Sequence, residues 1–361
     1  MRLDHYAVTR TLLPLSVPFH TALRSVTTVE EIRVTLTTDT GLQGIGSAAP
    51  TAAITGETEA SIAAALQHHI LPALSTIDLD DAPMAMSLIR RAIVGNFSAK
   101  AAADIALHDL YAKSRQESLT TYLGGRPRTL WTDATVSLSD ASTMRNQALS
   151  LVGQGFRHLK LKLGGRDGHD VERVVSIRQE LPDDVQIWLD PNQAWSVRES
   201  LAACEALGRL DIVFVEQPVA AHDVKGLQQV TMHSPIPIAA DESVFGLDNL
   251  LAILDLRAAD IINVKLMKCG GLAMARTMAE IIQSAGVKLM VGSMMEGMAS
   301  VTAAAIFAGV FDAAYLDLDA AYFLSNPKAV GGLQYAGGAV TLPRSAGLGV
   351  GFVEEEGAAD D

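Results

Sequence analysis

Cysteine is scarce in this sequence. Cys204 and Cys269 are the two among 361 residues, and neither has a partner at metal-ligand spacing. That argues against a disulfide framework and fits a reducing compartment, so a cytoplasmic protein is expected. Long apolar runs are missing as well. The longest candidate, Ala303 to Phe311, is about half of the ~18–20 residues that a membrane span needs, and Met1 to His5 lacks the apolar region of a signal peptide. Positive charge is short: 28 lysines and arginines stand against 41 acids, for a net charge of -13. This disfavours nucleic acid and an anionic membrane as partners. An anionic small molecule stays open, because a site can be locally basic inside an acidic protein. Charged residues of both signs make up 19% of the chain, too few for long disordered stretches.

Apolar residues, by contrast, make up 49% of a chain long enough for two domains. Residues 1 to about 48 read as strands. Leu3 to Leu13 is mixed, Glu30 to Thr37 alternates, and Thr38-Asp39-Thr40-Gly41 is a turn before Leu42 to Ser47, a hairpin pattern. Gly56 to Leu71 has helical periodicity with Glu57 and Glu59 in its first turn, and two further helical stretches follow at Ala82 to Val94 and Ser98 to Arg115. Residues 1–125 are therefore expected to form a small α+β domain.

Beyond it the texture changes. Eight short apolar, β-rich runs recur with helical segments between them, and a polar residue stands near the C-terminal end of most. Taking Thr135, Lys162, Asp190, Glu216, Asp241, Lys265, Met294 and Asp317 as markers, the spacings fall between 23 and 29 residues. A period of about 26 residues is one strand, one loop and one helix. Eight such units predict a (β/α)8-type barrel over 126–320, with its active site at the C-terminal ends of the strands. The segment 321–361 has two glycine pairs and little helical pattern. It is expected to return to the first domain, with its acidic end, Glu354 to Asp361, frayed.

Alternate residues of a strand share a face, so Lys160 and Lys162 belong together, as do Asp317 and Asp319. Asp190 and Asn192 would join them if that strand runs on. Asp190, Glu216 and Asp241 lie on three consecutive strands at one height. Alone they would repel and some would be forced to protonate, and a divalent cation removes the conflict. All-oxygen ligation with open positions suits Mg²⁺. Lys162 stands on one side of these acids and Lys265 on the other. Near a dication and partly desolvated, a lysine pKa should fall toward that of a usable general base. The layout suits proton transfer at the α-carbon of a carboxylate. The metal stabilises the enediolate, one lysine takes the proton, and the other returns one from the opposite face.

At these residues the sequence resembles the enolase superfamily, in its muconate-lactonizing branch. The resemblance rests on Lys160-Leu161-Lys162, Asp190-Pro191-Asn192, Glu216-Gln217-Pro218, Asp241-Glu242-Ser243 and Lys265-Leu266-Met267-Lys268-Cys269-Gly270-Gly271. It implies a modified (β/α)7β barrel whose mouth is covered by the first domain. A narrower resemblance, to dipeptide epimerases of the L-Ala-D/L-Glu type, rests on Asp317-Leu318-Asp319, on Pro18 to Arg24 and on Pro50 to Glu57. It implies that Asp317 and Asp319 grip the α-ammonium of a small dipeptide and that Arg24 selects an acidic second side chain. It also implies that Thr135, Lys160 and Met294 touch substrate, and that Lys162 serves the D-configured and Lys265 the L-configured α-carbon. Asn192, Glu242, Lys268 and Glu296 are expected behind them, tuning the metal or the lysines. A homo-oligomer is the expected state. Ser47, in Gly44-Ile45-Gly46-Ser47, departs from the acidic residue the family commonly shows there.

A lone Lys-x-Lys is ordinarily a solvated pair, and a single acid at a strand end is ordinarily a helix cap. It is the periodic set that carries the argument. The same scaffold supports cycloisomerisation, o-succinylbenzoate synthesis and N-acylamino-acid racemisation. The Asp-x-Asp pair speaks for a free ammonium, which those substrates lack. A non-catalytic binding protein is opposed by the intact lysines and carboxylates. A histidine-based racemase or a sugar-acid dehydratase is opposed by the nine histidines, none of which is expected at the C-terminal end of a barrel strand.

Overall fold

The computed structural model describes residues 1–352; Glu354 to Asp361 lie outside the described residues. The chain begins with a three-stranded antiparallel sheet of β1 (Leu3–His20), β2 (Ser25–Thr38) and β3 (Gln43–Ala48). β1 runs well past the mixed stretch expected at Leu3 to Leu13. It pairs with β2 as far as its last residue, His20, and its register slips between Pro14 and Phe19, where Pro18 brings no N–H to the ladder. α1 (Glu59–Ala65) starts at Thr58, which forms a capping box with Ser61. Glu57 therefore lies outside the first turn where it was expected. A π-helical turn at Leu66–Ile70 leads into α2 (Leu71–Leu74), followed by α3 (Ala82–Arg91) and α4 (Phe97–Ser114). α4 is buried along nearly its whole length, and β3 presses against it at two glycines. A Cβ on Gly44 would stand 2.2 Å from the carbonyl oxygen of Ala106, and one on Gly46 2.1 Å from that of Ala102.

After α5 (Leu119–Tyr122) and β4 (Thr129–Trp131) the alternating pattern sets in. β5 (Ala134–Val136), α6 (Ala141–Gly153), β6 (His158–Lys162), α7 (Asp170–Arg178) and β7 (Gln186–Asp190) come first. α8 (Val197–Leu207), β8 (Ile212–Glu216), α9 (Val224–His233), β9 (Ile238–Ala240) and α10 (Gly246–Leu256) follow. β10 (Ile261–Lys265), α11 (Leu266–Cys269), α12 (Leu272–Ser284), β11 (Lys288–Gly292), α13 (Met298–Val310) and β12 (Tyr315–Asp317) complete it. The eight strands β5 to β12 are parallel neighbours in chain order. β12 is followed by a 3₁₀ turn, Ala320–Phe323, in place of an eighth α-helix, which makes this a (β/α)7β barrel.

The barrel closes without a ladder between its first and last strands. Asp133 N donates to Leu316 O at 3.2 Å, Leu318 N to Thr132 Oγ1 at 2.9 Å, and Thr135 N to Asp319 Oδ2 at 2.6 Å. Inside it, Trp188, Phe214, Ala239, Ile261 and Met290 form an apolar cluster separate from the main core, joined by Tyr315. Trp188 stacks on Phe214 with ring centroids 5.1 Å apart, and Tyr315 lies 4.9 Å from Phe214. Two residues further along each strand, the same face carries Asp190, Glu216, Asp241, Asn263, Gly292 and Asp317. The polar rim thus rests on an aromatic floor.

The tail adds β13 (Ala329–Gly331), β14 (Gln334–Ala336), β15 (Ala339–Thr341) and β16 (Val350–Phe352). β15 pairs with β4, Leu348 N donates to Asp109 Oδ1 at 2.6 Å, and the Arg33 guanidinium sits 3.0 Å over the Phe352 ring. Among the described residues no helix is long and apolar enough to cross a membrane.

Candidate active site

The strands deliver their side chains to one mouth in chain order. Thr135 comes from β5, Lys160 and Lys162 from β6, Asp190 from β7, Glu216 from β8, and Asp241 from the residue after β9. Lys265 ends β10, Met294 follows β11, and Asp317 and Asp319 come from the end of β12. β6 and β10 are four strands apart in either direction around the rim, so Lys162 and Lys265 stand on opposite sides of the mouth. The arc β7 to β9 carries three acids. The opposite arc, β11, β12 and β5, carries Met294, Asp317, Asp319 and Thr135. Arg24 enters from the turn between β1 and β2. The cavity left between them is about 40 Å³. It is lined by Arg24, Thr135, Lys160, Lys162, Asn192, Asp241, Lys265, Met294, Asp317 and Asp319, with Phe19, Thr21, Ile54, Ser293 and Met295 completing the wall. Asp190, Glu216, Glu242, Lys268 and Glu296 are buried behind it.

Ammonium groups and acids are tightly interleaved. Lys160 Nζ lies 2.5 Å from Asp317 Oδ2, 2.9 Å from Glu216 Oε2 and 3.3 Å from Asp190 Oδ2. Lys162 Nζ lies 2.5 Å from Asp190 Oδ2, and Lys265 Nζ 2.9 Å from Asp241 Oδ2. Lys268 pairs with the other oxygen and the carbonyl of Asp241. Burial opposes ionised Asp190 and Asp241. Lys162 and Lys160 beside the one, and Lys265 and Lys268 beside the other, outweigh it and hold both below the usual carboxylate range. The remaining acids go the other way. Burial pushes Glu216 up to about 7 against the pull of Lys160, Glu242 up to about 8 with help from Asp241 and Asp190, and Glu296 up to about 7. Asp319 is raised to about 6 by burial and by Asp317. For Lys160 and Lys265 burial acts to lower the pKa, but the surrounding acids prevail and raise both. The low lysine pKa expected from the sequence is thus not a property of the protein residues alone. At Lys265, Asp241 keeps the proton on.

The strand geometry differs from expectation at two pairs. β7 ends at Asp190, and Asn192 reaches the mouth through a left-handed turn with φ of 45°. Its amide donates to Asp190 Oδ2 and to Glu242 Oε1, both at 3.2 Å. β12 likewise ends at Asp317, and Asp319 has helical backbone angles, yet both carboxylates still face one cavity. Glu296 accepts the backbone N–H of Met294 at 2.7 Å and so braces the turn that presents Met294.

Three residues at the mouth are absent from the sequence-based set. Asp133 is fully buried, accepts Trp188 Nε1 at 3.0 Å, and has an oxygen within 4.8 Å of both Asp317 and Asp319. Burial and those two acids lift it well above the usual carboxylate range. Asn263 donates to Glu216 Oε1 at 2.6 Å. Gln217 accepts Asp241 N and Ser243 N, both at 3.0 Å, which fixes the Asp241 turn. Asp133 and Asn263 each lie two residues before a marker, Thr135 or Lys265, and the alternation rule that joined Lys160 to Lys162 reaches them too. Glu216 Oε2, Glu242 Oε2, Asn192 Oδ1 and Asn263 Oδ1 are buried oxygens that accept no hydrogen bond; Lys160 touches the first as an ion pair without hydrogen-bond alignment.

The comparisons with known proteins agree with this arrangement. The N-terminal domain profile of mandelate racemase and muconate lactonizing enzyme matches residues 5–124, and the enolase C-terminal domain-like profile matches residues 143–356. The chain is 38% identical to the L-Ala-D/L-Glu epimerase of Clostridium acetobutylicum over 94% of its length and 95% of the relative's. It is 39% identical to the L-Ala-D/L-Glu epimerase of Bacillus subtilis, over 97% of each. The substrate-liganded structure of the Bacillus subtilis enzyme superposes with a TM-score of 0.94, covering 97% of this chain and 99% of that one. A dipeptide epimerase from Enterococcus faecalis, solved with Mg and L-Leu-L-Tyr, is 32% identical and superposes at 0.93, covering 97% and 99%. With both halves of the chain matched and the rim of a (β/α)7β barrel in place, the protein belongs to the mandelate racemase and muconate lactonizing enzyme family of the enolase superfamily, among its isomerases of amino acid derivatives.

Proposed function

We propose that the protein is a dipeptide epimerase that inverts the α-carbon of the second residue, converting L-Ala-L-Glu to L-Ala-D-Glu by proton transfer between Lys162 and Lys265. One observation carries the reading: two lysines stand four strands apart on one rim, with an arc of acids on one side and the Asp317 and Asp319 pair on the other. On the same reading the chain divides into a cap at 1–125, a barrel at 126–320 and a returning segment at 321–361.

Asp190, Glu216 and Asp241 are the residues proposed to hold Mg²⁺. The buried Glu216 Oε2, without an aligned donor, and the carboxyls of Glu216 and Glu242, pushed toward their neutral forms, fit a site built for a divalent cation. The compact Asp133, Asp317 and Asp319 cluster fits less well, because Lys160 and the Thr135 amide already serve it. Held by these three carboxylates, Mg²⁺ would supply positive charge that stabilises the negative charge growing on the substrate carboxylate as the α-proton leaves.

The protein residues then have distinct tasks. Lys162 serves the D face and Lys265 the L face; whichever starts neutral takes the proton, and the other, as ammonium, gives one. Asp317 and Asp319 bind the dipeptide ammonium, which excludes N-acylated substrates because these carry no charge there. Arg24 is half-buried, lines the cavity and has no ionic or hydrogen-bonded side-chain partner among the described residues, which fits the γ-carboxylate of glutamate. Thr135, Lys160 and Met294 complete the substrate wall. Asn192, Glu242, Lys268 and Glu296 hold the ligands and the Met294 turn in place.

The test is proton NMR of L-Ala-L-Glu with enzyme and Mg²⁺ in D₂O. Loss of the glutamate α-proton signal together with the appearance of a second diastereomer supports the reading. Absence of exchange removes the acidic-dipeptide substrate and turns the search to other dipeptides and to N-acylamino acids.

A further inference from the structure

A second cavity lies away from the barrel mouth, where α3 and the start of α4 meet α10 and α12. It measures about 490 Å³, within the range of small-molecule pockets. Its walls are mixed, with an apolar side made of Met86, Ile89, Phe97, Phe245, Leu247 and Met274. Into it goes Lys100. That residue is 6% exposed, yet its ammonium makes no hydrogen bond or ion pair among the described residues; the nearest ring, Phe97, is 5.8 Å away.

The side chain is largely buried while its ammonium opens into the cavity, and an ammonium drawn this far from water without a protein partner is unfavourable, the more so for its position. Lys100 sits in the first turns of α4, where the helix dipole is already positive. The carboxylate that bears on it, Glu57, spends its oxygens elsewhere, accepting Ser98 N, Ser98 Oγ and Ala99 N at 2.9, 2.8 and 3.3 Å. Asp104 also lines the cavity, but it accepts Leu272 N at 2.6 Å and pairs with His108 at 3.2 Å. Arg90 and Asp248, of opposite sign, are exposed at the edge. Burial accordingly holds the Lys100 ammonium below the ordinary lysine range. What is lacking inside is one negative charge, next to enough apolar wall for a short hydrocarbon chain.

We propose that this cavity is a second binding site that takes a small amphipathic anion, its carboxylate on Lys100 and its apolar body along Phe97, Phe245 and Met274. The site is independent of the reaction proposed for the barrel mouth.

The experiment is calorimetric titration of octanoate, and of its neutral isostere octanamide, into the full-length protein with Mg²⁺ and saturating L-Ala-L-Glu. One octanoate per chain is expected, with octanamide at least tenfold weaker. Lys100→Met should weaken octanoate at least tenfold, Lys100→Arg should retain it, and the cavity-filling Met274→Trp should remove it, with dipeptide turnover unchanged in all three. Three results overturn the proposal: no octanoate binding, equal affinity for acid and amide, or an affinity unchanged by both Lys100→Met and Met274→Trp. Octanoate that binds without the dipeptide and is displaced by it belongs to the barrel mouth, which also overturns it.

Discussion

Asp319 accepts the backbone N–H of Thr135 at 2.6 Å, across the seam where the barrel closes without a ladder between β5 and β12. The same side chain therefore serves the fold and faces the cavity. Two substitutions separate these tasks. Asp319→Asn keeps an oxygen for the Thr135 amide but loses the charge, so KM for the dipeptide should rise about 10- to 100-fold with little loss of fold stability. Asp319→Ala strands a buried N–H as well and should cost about 1–3 kcal/mol. Mg²⁺ titration and denaturant melts check both. Lost Mg²⁺ affinity with normal dipeptide affinity in the Asn variant would contradict the assignment.

Lys162 and Lys265 should be separable by isotope exchange. Lys162→Ala is expected to lower epimerisation by about 10²–10⁴-fold. It should still let Lys265 exchange the α-proton of the L epimer with solvent deuterium. Lys265→Ala should show the mirror pattern on the D epimer. NMR of each epimer in D₂O reads the result, and equal loss of exchange on both epimers in either variant argues against separate faces.

Arg24 should set the charge of the second side chain. Replacing it by methionine removes a charge-assisted hydrogen bond, so kcat/KM for L-Ala-L-Glu should fall about 10- to 100-fold. Dipeptides with an apolar second residue should gain in relative rate. A dipeptide panel in which the wild-type protein ranks Ala-Glu below apolar or cationic partners would rule this role out.

The acids of the mouth predict how metal and pH interact. Without a metal, burial and neighbouring acids push Glu216 up to about 7 and Glu242 up to about 8, against 4.5 for an ordinary glutamate. A carboxyl raised on folding stabilises the native state below its unfolded value and loses that contribution as pH climbs through the folded one. Thermal stability in EDTA should therefore fall between about pH 5 and about pH 8. Mg²⁺ prefers the ionised forms, so the stabilisation it gives should grow over the same window. Asp190 and Asp241 are depressed and act elsewhere: their contribution is lost only as pH falls below 3.8. Melts with EDTA and with Mg²⁺ across this range provide the check; a gap that narrows as pH rises would refute the coupling.

Gly292 makes room for a lysine. A Cβ there would stand 2.9 Å from Lys265 Cε and 2.9 Å from the Asn263 amide oxygen. Gly292→Ala should displace the Lys265 ammonium and lower kcat by about 10²-fold, given how steeply rate depends on position. Deuterium exchange at the L epimer should suffer more than at the D epimer. Equal rates on both would locate the damage elsewhere.

The rim was legible in the sequence because two periods coincide there. The repeat of about 26 residues marked the strand ends, and the two-residue alternation put Lys160 with Lys162. Where a residue follows neither period it was hidden. Gln217, which acts from a backbone φ of 37°, is of that kind, whereas Asn192, which reaches Asp190 and Glu242 through a left-handed turn, was marked by its Asp-Pro-Asn motif. Asn263 and Asp133 do obey the alternation, but a neutral amide, or an acid just ahead of a strand, looks in sequence like any polar loop neighbour. Glu57 read as an acid of the first turn of α1, whereas it accepts the amides of Ser98 and Ala99 at the start of α4, 41 and 42 residues on. Contacts between distant elements of that kind leave no local pattern. The length of β1 was hidden for a related reason: its alternation is mixed, and it is the pairing with β2, with a slip in register between Pro14 and Phe19, that carries the strand on to His20.

Placing the same kind of side chain at both ends of one diameter of the barrel has a consequence for metabolism. In the mechanism proposed above, each lysine is the acid in one direction and the base in the other, so neither direction is mechanically privileged, and a catalyst leaves the equilibrium between two diastereomers where chemistry puts it. Epimers of a dipeptide differ little in free energy. A cell that needs one of them in excess must therefore withdraw it, by a following step that acts on a single configuration, and net flux through this barrel is decided by that downstream enzyme.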